Sequence, residues 1–277
     1  MAELAPRRLA RTARVRPYRA LLGAQVRAYA TYRASFAIEL AVNAGIPVLD
    51  LLTLLALFQV TPAIGGFSVD EALVMFGISA LAFALADLAV GEIEKIRNYV
   101  RLGTMDAVLV RPLSVLGQLL SSGFAARRIG RVLVTGTVLG VALARVDVPW
   151  TPARIGLVVV APLAGAVLFG SIFVGAATVA FWWIDSGEFA NGLTYGGRDF
   201  TSYPVNVYGR AFRHVFAYAL GFAFVSYYPT LGLLGRPDPL GLPDWVVWCS
   251  PAVAAVAVLL AAAAWRFGIR QYRSTGS

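Results

Sequence analysis

The sequence predicts an all-α integral membrane protein with six transmembrane helices, and three observations predict it. The chain is 58% hydrophobic and 14% charged, with a mean hydropathy of +0.71, whereas soluble domains carry about 25% charged residues. Six segments supply the roughly 20 apolar residues that cross ~30 Å of hydrocarbon at ~1.5 Å per residue. Of the 24 lysines and arginines, all but Arg145, Arg154 and Arg236 fall on one side of those segments. The net charge of +9 therefore reads as membrane topology rather than as a nucleic-acid surface, and no nucleic-acid partner is expected.

Residues 1–35 form a basic segment with eight arginines from Arg7 to Arg33. No cleavable signal pattern precedes them. The Arg-rich, acid-poor start also has the composition of a transit peptide, but it leads straight into a span. The stretch "PYRALLGAQVRAYATYRASF" alternates basic and apolar groups at helical spacing, which predicts an interfacial helix on the inner surface.

The transmembrane domain covers 36–266. The first span, Phe36–Phe58, carries Glu39, Asn43 and Asp50 on one stripe ~16 Å long, because successive helix residues turn by ~100°. Such a stripe is costly against lipid and should face the interior, a second subunit or a wet path. It serves either to pin helices together or to attract a cationic cargo at Asp50. Pro47 is expected to bend this helix. The second span, Asp70–Val90, places Asp87 near its inner end. The loop 91–128 follows. The third span is Ile129–Val146 and the fourth Ile155–Ile184, long enough to need tilt or a bend near Pro162. Residues 185–211 read as a second cytoplasmic loop. The fifth span, Phe212–Leu234, is interrupted by "SYYPTLGLLG" (226–235), where Pro229 argues against a continuous helix. Tyr227, Tyr228 and Pro229 are thus expected in a kinked or re-entrant element at an outer gate, shielded from lipid. The sixth span, Trp245–Trp265, leads to a tail, 267–277. The excess of arginine puts both termini in the cytoplasm. Small residues four apart (Gly136 and Gly140, Ala166 and Gly170, Ser171 and Gly175) suit close helix packing, within the subunit or across a dimer.

Several chemistries are missing from the sequence. No G-x-x-x-x-G-K-[ST] occurs, and the only lysine, Lys95, has no glycine-rich loop before it, so the chain has no P-loop for ATP. His214 and Cys249 stand alone, which rules out histidine clusters and disulfides within the chain. No enzyme is expected, no cofactor in this chain, and energy must come from a partner.

The charged stretch "EIEKIRNYVRLGTMDAVLVRPLS" (92–114) lies between two apolar spans. Ile93, Ile96, Val100 and, less cleanly, Tyr99 share one side of a short amphipathic helix, with Glu92, Lys95, Arg97 and Arg101 mostly elsewhere. Gly103 stops that helix, and Arg111-Pro112 ends a second short one. On physical grounds this also suits an ordinary basic loop lying on lipid headgroups.

"RLGTMDAVLVRPLSVLGQ" resembles the G-x-[LM]-D-x-[LV]-L-x-R-P-[LS] signature of ABC-2 type transporter permeases, in the branch that includes the viologen-exporter-like permeases. "FWWIDSGEF", "YPVNVYGRAFR" and "FAFVSYYPTLGLLGR" resemble later landmarks of the same branch, in the same order, and the likeness covers roughly residues 20 to 270. It implies the six-span exporter fold of the ABC-2 (type V-like) class in the cell inner (plasma) membrane. It implies that the loop 91–128 holds a coupling helix docking on a dimer of ABC ATPase subunits, which carry the ATP and Mg. Glu92, Glu94, Lys95, Arg97, Tyr99, Arg101 and Asp106 are then the expected contacts and Gly103 the turn. A second permease subunit, identical or related, would complete the transporter amid membrane lipid, for multidrug or viologen efflux. Open alternatives are an ATP-independent secondary transporter or channel, and a membrane scaffold subunit.

Overall fold

The computed structural model describes residues 33–121, 128–183 and 185–272. The expected interfacial helix, Arg127, Ile184 and residues 273–277 of the tail lie outside the described residues or largely so. Among those described, the chain is helical and contains no strand.

Helix α1 runs from Arg33 to Val60, continuing through Pro47. A turn at Gly65 and Gly66 leads to Ser68, whose side chain and that of Glu71 cap each other's backbone amides to start α2, Val69–Val90. A 3-10 turn, Gly91–Lys95, passes into α3, Ile96–Arg101. The short helices α4, Met105–Leu109, and α5, Val115–Ser121, follow. Next come α6, Ile129–Arg145, and α7, Pro152–Thr178. Thr151 caps α7, Pro152 sits in its first turn where no amide partner is needed, and the helix continues through Pro162. Then come α8, Gly187–Thr201, and α9, Arg210–Arg213, which opens into a π-helical turn, His214–Ala219. Helix α10, Tyr227–Leu234, and α11, Ser250–Gln271, complete the set.

Helix α2 is the centre of the bundle. Helix α6 packs against it so closely that a Cβ on Gly77 would stand 2.9 Å from the Leu139 Cα. Helix α7 lies along it with Gly165 at Ala82 and Gly170 at Val90, so the two run parallel. Helix α11 packs on α7, with Gly268 at Thr178. Phe83 anchors the core, its ring 5.3 Å from Phe169, 5.6 Å from Phe173 and 5.4 Å from Tyr195. Rings this close supply large apolar area and favourable edge contacts.

Four helical stretches are long and apolar enough to cross a membrane: Ala34–Val60, Val69–Arg101, Pro152–Phe181 and Ser250–Gln271. A fifth candidate is a broken pair, Arg210–Ala219 with Phe222–Leu234, bent by 64°. Helix α6, the expected third span, has 17 residues, ~25 Å of rise. The sixth begins at Ser250 rather than Trp245, because Asp244–Trp248 forms a separate 3-10 turn.

Two expectations need correction. The bundle has one end where α2 finishes, called here the near end, and another where α2 begins, the far end. Residues 185–211, expected as a loop on one side, run from end to end: Gly187 abuts Arg97 at the near end, while Asn206 Nδ2 donates to the Gly65 carbonyl at the far end, 2.7 Å. Between them Ser79 and Thr201 share a buried 2.6 Å hydrogen bond. The expected fifth span does not traverse. It begins after Asn206 and ends at Arg236, whose Nη2 donates to the Gly66 carbonyl at 3.1 Å, so it enters and leaves at the far end.

The break lies elsewhere than expected. Pro229 occupies the first turn of α10, where its missing N–H costs no hydrogen bond. Gly221 makes the bend instead, with φ +76° and no room for a side chain beside Val253. Gly221→Ala is expected to cost about 1–2 kcal/mol for the left-handed backbone alone, read as a lowered Tm of the purified protein.

Candidate functional site

At the near end, Ile93, Ile96 and Val100 are buried, as their spacing predicts, and Gly103 turns the chain at φ +68°. The charged residues expected to share an exposed face separate into groups. Glu92 is only 6% exposed, pairing with Lys95 at 2.5 Å and Arg128 at 3.5 Å. Asp87, equally buried, takes Arg128 Nε at 3.3 Å and Arg131 Nη1 at 2.9 Å on its carboxylate, while Arg128 Nη1 donates to its backbone carbonyl at 2.8 Å. This buried cluster joins the end of α2 to the start of α6.

Glu94 and Arg97 line a small pocket of about 50 Å3 between α3, α7 and α8. The Arg97 guanidinium fills the space where a side chain at Gly187 would go, tying α3 to the first turn of α8. Tyr99 packs against the core. Asp106 lies beside Tyr272, whose hydroxyl is pushed above its ordinary range by burial first and by Asp106 second. Of the expected contact residues, only Lys95, Arg97 and Arg101 are exposed.

The sequence reading missed the apolar part of this surface. Leu102 is 70% and Val110 85% exposed, flanked by Arg101 and Arg111. The signal was present in the register: α4 buries Met105 and Val108, so Leu102 and Val110, off both buried stripes, must point away from the bundle.

Deeper in the bundle, the polar stripe of α1 divides. Asn43 Nδ2 donates to the Glu39 carbonyl of its own helix at 2.8 Å, and Glu39 is exposed. Asp50 reaches another element, meeting Arg198 of α8 at 3.4 Å. Arg198 also pairs with Asp199 at 2.9 Å. Its guanidinium carbon lies 5.6 Å from the Phe83 ring centroid, and that of Arg131 lies 5.9 Å from the same centroid. The ring thus links the Asp87 cluster to the Asp50 pair by two cation–π contacts. Neither Arg131 nor Arg198 was singled out from sequence, since each read as part of a basic cytoplasmic tract.

At the far end, Tyr227, Tyr228 and Pro229 are buried in α10, and the Tyr227 hydroxyl donates to Asp238 Oδ1 at 2.9 Å. The re-entrant segment is held there by charged groups: Arg236 Nη1 donates to both oxygens of Glu71 at 2.9 Å, and Arg154 Nε donates to the Gly232 carbonyl at 3.1 Å. An arginine on a helix's last carbonyls satisfies acceptors left open there. Among the described residues no group of three or more His, Cys, Asp or Glu residues is placed to hold a metal ion.

One family profile, described as ABC-2 family transporter protein, matches residues 44–276. No curated protein and no solved structure matches the chain.

Proposed function

The chain belongs to the family of ABC-2 transporter proteins, and from that membership we propose that it is the membrane-spanning permease subunit of an ATP-driven exporter. Members of this family normally work with an ABC ATPase, which would bring the ATP and Mg. The observation that supports this reading best is the near-end surface, where Leu102 and Val110 stand exposed beside Arg101 and Arg111. Apolar side chains this open, ringed by charge and outside the bilayer-length part of the helices, suit a protein partner rather than water.

By the excess of arginine the near end and both termini face the cytoplasm, and the family likeness implies a cell inner (plasma) membrane. Six crossings then follow: α1, α2, α6, α7, the segment 187–206, and α11. The hairpin 210–234 is a re-entrant element on the outer side, and Tyr227, Tyr228 and Pro229 lie in its wall as part of an outer gate. Moving Arg198, Arg210 and Arg213 off the cytoplasmic side leaves the charge bias in place.

A second permease subunit would cover the open face of α1 and α8. Only 11% of the most apolar stretch of α1 is buried in the bundle, and Asp50, Arg198 and Asp199 lie alongside it. Charges at bilayer depth require a protein or wet surrounding. Two carboxylates around one arginine leave the path net negative, which suits an amphipathic cation of the viologen type.

Affinity purification of the tagged permease from native membranes tests the central claim. A Mg-dependent ATPase is expected to copurify; its absence from a well-folded preparation would return the reading to a secondary transporter, channel or scaffold. For the path, Asp50→Asn is expected to leave assembly intact, because Arg198 keeps Asp199, while methyl viologen export falls roughly tenfold, the equivalent of about 1.4 kcal/mol. Unchanged export would remove Asp50 from cargo binding.

A further inference from the structure

An open groove of about 590 Å3 lies between α2, α7 and α11, floored by small side chains such as Ala89, Gly170 and Ala262. It is almost wholly apolar along its length, from Val258 and Leu163 to Leu116 of α5, and Arg266 stands at its near-end mouth. Arg270 follows one turn later on α11, and both arginines are exposed without an acidic partner among the described residues. Phe267 stacks on the exposed Trp182 at 5.7 Å at the same level. Aromatic rings of this kind collect where hydrocarbon meets headgroups.

We propose that this groove binds one acyl chain of an anionic phospholipid of the cytoplasmic leaflet, with its phosphate held by Arg266 and Arg270. The leaflet named rests on the orientation given under Proposed function; the site itself does not. From Val258 to Arg266 the groove runs about 12 Å at ~1.5 Å per residue, close to half of the ~30 Å hydrocarbon thickness. It therefore accepts a chain from one leaflet and stops where that leaflet's headgroups begin. A helix of ~10 Å diameter and the same length would need roughly 900 Å3, more than the groove offers, so a helix of a second copy fits it less well than a chain does. The two unpaired guanidiniums add the charge term. A basic residue near the headgroup level favours anionic over zwitterionic lipid by roughly fivefold.

The full-length protein is exchanged into detergent with equal amounts of dioleoyl phosphatidylglycerol and dioleoyl phosphatidylcholine, and retained lipid is counted by native mass spectrometry. Wild type is expected to retain phosphatidylglycerol preferentially. Arg266→Gln should lower that preference roughly fivefold, and Gly170→Leu, which fills the floor, should abolish retention of both lipids. Should Gly170→Leu fold poorly, brominated-chain phosphatidylglycerol provides a second readout. It should quench wild type more than Trp265→Phe, because Trp265 lines the groove. An unchanged lipid preference in Arg266→Gln, or equal quenching with and without Trp265, overturns the proposal. A Gly170→Leu protein that changes oligomeric state yet keeps its lipid also overturns it, giving the groove to a second copy. None of these outcomes depends on whether an ATPase copurifies.

Discussion

Asp87→Leu is expected to destabilise the folded protein strongly. Asp87 is buried and holds Arg128 and Arg131 together at the junction of α2 and α6. Removing one partner of a buried ion pair costs about 3–5 kcal/mol, because the remaining charge stays desolvated and unpaired. Against a total stability of roughly 5–15 kcal/mol, that loss should lower Tm by about 10 °C and reduce the monodisperse fraction in size-exclusion chromatography. Adding Arg131→Met should recover part of the loss, since Arg128 retains Glu92 and a methionine fills much of the vacated volume. A single Asp87→Leu variant as stable as wild type would show that the cluster contributes nothing to folding.

Leu102→Asp with Val110→Asp should have the opposite profile, leaving the fold intact and breaking the proposed coupling. Both side chains are exposed, so Tm should move by no more than about 2 °C. Burying each against a partner is worth about 1.5–3 kcal/mol, so the pair should weaken association with the ATPase by 100-fold or more, roughly. Arg101→Ala should cost far less, about 0.2–1 kcal/mol, as exposed ion pairs do. Permease-stimulated ATP hydrolysis measures all three. If the double aspartate variant stimulates like wild type, the docking surface lies elsewhere. Arg97 and Asp106 are poor probes of docking, because Arg97 braces Gly187 and Asp106 lies against Tyr272; their loss would disturb the bundle itself.

The near-end surface shows how far sequence reasoning reached. The amphipathic helix, its buried stripe of Ile93, Ile96 and Val100, and the Gly103 turn were legible because each depends on neighbours three or four residues away. Glu92 was assigned to the surface by the same rule and is buried, since its partner Arg128 comes from a helix 36 positions later in the chain. Charge on a helix signals solvent only when no opposite charge arrives from elsewhere.

By itself the sequence determined that this chain lives in a membrane, that it is helical, and that the stretch 92–114 stands out from the spans around it. Those properties are sums over composition and short-range period, and folding cannot alter them. Only the tertiary structure decided which segments traverse. The glycine-rich "GEFANGLTYGGRDFT" reads as a loop on any hydropathy scale, yet α8 runs along the bundle because Asp50 and Phe83 receive Arg198 and Ser79 receives Thr201. The more apolar 212–234 turns back at Gly221, held to the far end by Glu71 and Gly66. The free energy of placing a polar group at depth depends on its partner, and that partner is a fact of three dimensions.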